Sequence, residues 1–172
     1  MLTLGATAPA SALSTAVWPC SPVAVYVAPD AGFWVTKAVR DWHRSFRPDF
    51  TFTTDPTKAT ILVRASERDF AGKLFRLDAL QHPSEPAGPG DGVTGMSENE
   101  RGVLTYAEVI VSRHLASTTR GYNVAVSELL HVSGIGYEDV PATWTWAGHD
   151  GLERLTANEM GLLRWAGRRC MP

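Results

Sequence analysis

Ser127-Glu128-Leu129-Leu130-His131-Val132-Ser133-Gly134-Ile135-Gly136-Tyr137 is the stretch on which the reading of this chain turns. It closes a segment, from about Thr119 to Ser133, whose residues Tyr122, Val126, Leu129, Leu130 and Ser133 recur at the three-and-four spacing of one helix face. The spacing predicts an amphipathic helix. Gly134 and Gly136 end it, because glycine enters the left-handed conformation that stops helices without a steric penalty. Glu128 and His131 then sit one turn apart on the last turns of a mostly apolar helix. Such a pair is a candidate for acid–base or metal chemistry, and a polar contact between helix neighbours is the plainer alternative.

Outward from this helix the chain alternates strand and helix signals. Val103 to Arg113 reads as a strand, with Val103, Thr105, Ala107, Val109 and Val111 on one face and Leu104, Tyr106, Glu108 and Ile110 on the other. The Pro-, Gly-, Ser- and Glu-rich segment 81–102 has no hydrophobic period and reads as a long surface loop. Earlier come a strand at Val23 to Ala28 and a helix introduced by Asp30 as N-cap, with Val35, Ala38, Val39, Trp42 and Phe46 inward. Short strands at Phe50 to Thr53 and Ala59 to Ala65 follow. At the other end Thr156 and Glu159 form a capping box, and Leu155 and Met160 have the spacing of a hydrophobic staple, for a helix to about Arg168. The expected fold is α/β (α+β): a mixed, twisted sheet of four or five strands, two main helices, a C-terminal helix and a cleft beside the second helix.

The opening stretch resembles the metzincin signature, in which a helix supplies His-Glu-x-x-His, turns at a Gly and delivers a third zinc ligand three residues later. The chemistry needs that spacing. Ligands at i and i+4 share a helix face, the adjacent Glu reaches a zinc-bound water, and the Gly lets the chain double back. Weaker likenesses to matrixin-like proteins stand in the family's order: Trp18-Pro19-Cys20-Ser21-Pro22, Ala59-Thr60-Ile61, Gly92-Val93-Thr94-Gly95 as a loop leading into a strand, and Leu155-Thr156-Ala157-Asn158-Glu159-Met160 opening the last helix. Together they cover roughly residues 18–167.

The site itself departs from the pattern. Glu128, His131 and Gly134 occupy the positions of the general base, the second ligand and the turn, whereas Ser127 and Tyr137 stand where the first and third ligands belong. Serine is not a competent zinc ligand at neutral pH, and a phenol with a pKa near ~10 replaces imidazole poorly. The family's methionine turn falls in Pro141 to Trp146, which holds no Met. The resemblance therefore implies a relict site: Glu128 a relict base, His131 a relict ligand, and no cofactor. Zinc would require other ligands, with Asp139, His114, His149 and Tyr137 itself as candidates and Asp139 two residues past the usual third position.

Trp144 and Trp146 alternate with threonine and suit a contact surface, or else fill the core where the methionine turn would lie. Ser127 lies one turn from His131, but no oxyanion hole or orienting acid is identifiable, which argues against a serine nucleophile. His43 and His114 read as ordinary surface residues. Cys20 and Cys170 admit one disulfide spanning nearly the whole domain, or two unrelated thiols, since no spacing motif connects them.

With 172 residues, 44% hydrophobic and 20% charged, the chain fits one domain (20–172) preceded by an N-terminal arm (1–19). No Lys or Arg opens that arm as a signal peptide would require. A net charge of −2 gives no reason to expect nucleic acid or membrane as partner. The expectation is a non-catalytic module that binds a protein or assembles with itself, extracellular or virion-associated. The alternative is a divergent zinc peptidase, which would need an open groove along Val103 to Arg113.

Overall fold

The computed structural model describes residues 17–47, 49–66, 91–135 and 153–172. Five strands form one sheet in the order β2-β1-β3-β5-β4, with β1 at Ala24–Val27, β2 at Thr51–Phe52, β3 at Ile61–Ser66, β4 at Gly92–Glu98 and β5 at Leu104–Ser112. β2, β1, β3 and β5 run parallel, and β4 is antiparallel to β5. Among the described residues four α-helices accompany them: α1 at Gly32–Ser45, α2 at Arg113–Ala116, α3 at Thr119–Val132 and α4 at Ala157–Gly167. The mixed α/β architecture expected from the pattern is present.

The core lies between one sheet face and the helices. Val25, Ile61, Val63, Ala107, Val109 and Val111 meet Val35, Ala38, Val39 and Trp42 of α1 and Tyr122, Leu129 and their neighbours on α3. The period-two and period-3.6 patterns converge here because only these alternations place every apolar residue on a facing surface. Glu108 is fully buried on the other alternation of β5, and Arg64 Nε donates to its Oε1 at 2.6 Å. Pairing is what makes a buried carboxylate tolerable.

Several expectations need correction. Gly92–Glu98 is a strand rather than part of a surface loop, and the Gly92-Val93-Thr94-Gly95 segment lies inside it. Residues 81–90 of that expected loop lie outside the described residues. β5 is interior, hydrogen-bonded to β3 and β4, so the sheet edge on that side is β4 and not the Val103 to Arg113 strand. Arg113 belongs to α2. Residues 17–19 belong to the domain and not to an arm, because Trp18 is in the core, Val17 bridges Val103 and Pro19 bridges Met171. Asp30 caps nothing: it sits in a 3-10 turn, Pro29–Ala31, and its carboxylate pairs with Arg113 at 2.7 Å.

Cys20 and Cys170 form a disulfide, and two main-chain hydrogen bonds beside it join the chain's ends: Cys20 N donates to Met171 O, and Met171 N to Trp18 O. Among the described residues no helix is long and apolar enough to cross a membrane.

Candidate functional site

α3 is set in place by its two ends. Thr118 caps the start, its hydroxyl accepting from Gly121 N. At the other end Ile135 N donates to Leu130 O and Gly134 N to His131 O, with Gly134 at φ 74°, which is the Schellman arrangement. Ser133 N and Oγ both donate to Leu129 O, and the Trp18 indole donates to Val132 O at 2.7 Å. All four terminal carbonyls, which a helix cannot satisfy internally, therefore find donors. The Ser133 hydroxyl also accepts from the Trp42 indole at 2.8 Å, tying α1 to this end.

The reversal at Gly134 returns the Ile135 carbonyl to His131, 3.1 Å from Nδ1. A carbonyl only accepts, so Nδ1 carries the hydrogen. In the neutral ring the lone pair then resides on Nε2, and metal-ligating histidines are held by the same kind of outer contact. His131 is buried at 5% exposure, Ser127 at 6% and Glu128 at 1%.

Glu128 points toward β4. Thr94 Oγ1 lies 2.6 Å from Glu128 Oε2 and 3.1 Å from the Glu128 backbone carbonyl oxygen. A Cβ on Gly92 would come within 3.3 Å of Oε1 and 2.5 Å of Val124 Cγ1, so β4 approaches α3 closely only because residue 92 has no side chain. Oε1 has no hydrogen-bond partner among the described residues. Burial pushes the carboxyl up to about 7, against the smaller opposing effect of the Thr94 hydrogen bond. Hydrogen counting agrees with a protonated form: Oε2–H donates to Thr94, Thr94 donates to the Glu128 carbonyl, and both short contacts become hydrogen bonds. An ionised Glu128 would leave one charged oxygen buried without a donor.

The three motif positions on the helix are thus all buried, and Glu128 is the one that meets Thr94. Tyr137, Asp139, Trp144, Trp146 and His149 lie outside the described residues. His114 is exposed at the start of α2, its Nδ1 2.9 Å from Ser112 Oγ. His43 is not merely a surface residue, since its Nε2 contacts Phe50 O at 2.7 Å and its ring lies against Phe52. Among the described residues no three His, Cys, Asp or Glu side chains come together to hold a metal ion. Serine, imidazole and a neutral carboxylic acid are a poor donor set for zinc, which requires deprotonated ligands.

Thr94 and Trp18 are the participants that sequence reasoning missed. Thr94 lay within a segment read as loop, and Trp18 within one read as arm. The signal that could have found Thr94 is the hydroxyl-bearing residue between Val93 and Gly95, in a stretch that pairs with the Val-rich β5. No model of a known protein family matches the chain, and no curated protein matches it.

Proposed function

We propose that this chain is a metzincin-like domain that has lost its metal chemistry and serves as a binding or structural module. The observation that carries the reading is Glu128: the residue at the general-base position packs against β4 as a buried acid held by Thr94, beside a buried Ser127 at the first ligand position. A base that must take a proton from metal-bound water needs an ionised carboxylate open to that water. The module's partner is a protein or further copies of itself. The disulfide between Cys20 and Cys170 supports an oxidising location, such as an extracellular assembly or a virion.

A second reading, a divergent zinc peptidase, is favoured by one contact. The Ile135 carbonyl at His131 Nδ1 orients the ring as a ligand's outer partner would. Elemental analysis after dialysis against trace zinc separates the two, with His131→Ala as control. The expected result is no stoichiometric zinc in either protein. About one zinc per chain, lost in the variant, would overturn the proposal and direct attention to ligands beyond the described residues.

A further inference from the structure

Cationic side chains on this chain usually have a carboxylate at hand: Arg113 pairs with Asp30, Arg120 with Asp91 and Lys37 with Asp41, at 2.7, 2.6 and 2.7 Å. One region differs. Arg40 on α1, Arg164 on α4 and Arg168, which caps the end of α4, are exposed with no ion pair among the described residues, and Arg44, 77% exposed, reaches Asp41 only at 4.0 Å. Trp165, next to Arg164 in α4, is 52% exposed, with the Arg169 guanidinium 5.0 Å from its ring.

The two helices lie side by side. Lys37 of α1 donates to the Glu153 carbonyl just before α4, and at the far end Gly167 abuts Phe46, where an added Cβ would lie 2.0 Å from the Phe46 carbonyl oxygen. α4 therefore runs alongside α1 in the same direction. Arg40 and Arg44 share one face of α1, and Arg168, the C-cap residue with helical backbone angles, continues the face of α4 that carries Arg164, each pair at i, i+4 spacing.

We propose that the exposed α1–α4 face, built from Arg40, Arg44, Arg164, Arg168 and Trp165, is a docking surface for an acidic segment of a partner protein. Guanidinium forks match carboxylates in a planar, two-bonded geometry, and Arg and Trp are the side chains that most often anchor protein interfaces. The chain's net charge of −2 works against a polyanion read by long-range attraction, as nucleic acid is. The α4 outward face, Gly161, Arg164, Trp165 and Arg168, lacks the apolar stripe that an interfacial membrane helix inserts. Local pairing with carboxylates is what remains. This face does not include Ser127, Glu128 or His131 of α3, so neither zinc result bears on it.

The test uses the full chain and a fluorescently labelled short peptide of Asp and Glu around one central Leu, read by anisotropy at two salt concentrations. Binding is expected, weakened at least about ten-fold by Arg164→Glu with Arg168→Glu and likewise by Arg40→Glu with Arg44→Glu. Trp165→Ala should weaken it as well, while Arg101→Glu, in the β4–β5 turn, leaves it unchanged. Circular dichroism of each variant checks that the fold persists. The proposal falls if the wild-type chain does not bind the peptide, or if Arg101→Glu costs as much as the paired reversals. It also falls if phosphatidylserine vesicles or a thymidine oligonucleotide compete the peptide away at lower concentration.

Discussion

Thr94 has one hydrogen to give and two oxygens of Glu128 within reach, which makes the protonation of a single carboxyl a matter of stability. The group's ordinary value of 4.5 rises to about 7 in the folded chain because burial penalises its charged form. The native state thus keeps a proton that the unfolded chain releases from about pH 4.5 upward. That contribution is complete below the unfolded value and disappears as pH rises through about 7, a change on the order of 3 kcal/mol. Urea unfolding should therefore show stability falling between mildly acidic and mildly alkaline pH, and Glu128→Gln, which cannot ionise, should flatten the profile and be the more stable form at the alkaline end. Equal slopes for the two proteins would mean that Glu128 is ionised in the fold. Sequence alone placed Glu128 and His131 on one helix because their spacing is local. It could not name Thr94, whose contact with Glu128 spans 34 positions and depends on a strand hidden in glycine-rich sequence.

Helix ends were the most legible elements. Gly134 stops α3 and the Thr156–Glu159 capping box opens α4 with both reciprocal hydrogen bonds, because capping uses residues within one turn of each other. β4 was the least legible. Two glycines and two hydroxyl residues weaken its own preference for extended structure, and it forms because β5 offers a Val- and Ile-rich partner and α3 covers it. Asp30 failed as a cap for a related reason: the chain spends one further 3-10 turn before α1, and the carboxylate finds Arg113, 83 residues away. The end of α3 also depends on a distant donor, the Trp18 indole. Trp18→Phe keeps an aromatic ring against Phe50 but strands the Val132 carbonyl, and it should cost about 1–3 kcal/mol. Hydrogen exchange localises the loss: amides from Ser133 to Ile135 should exchange faster in the variant while those of β3 keep their relative protection.

At the scale of the molecule, the alternation of strands and helices was enough to give a mixed sheet with helices against it, since each period commits a whole face at once. The pairing of Cys20 with Cys170 was not legible, because 150 positions separate them and what aligns them is the three-dimensional bridge of Pro19 to Met171. A link closing so long a loop restricts the unfolded chain strongly. By chain entropy, Cys20→Ser with Cys170→Ser should lower stability by up to about 5 kcal/mol, read from urea midpoints, and reductant should bring the wild-type protein to the same value. A double variant as stable as the oxidised protein would show that the bridge constrains little.

The same link decides how the molecule would carry load. With the Cα atoms of residues 20 and 170 only 5.0 Å apart and covalently joined, tension applied to the flanking chain passes from sulfur to sulfur and reaches none of the five strands. Strung in a longer tether, the domain would be a bead that adds almost nothing to contour length and stays folded under a pull that would unzip an unclamped sheet.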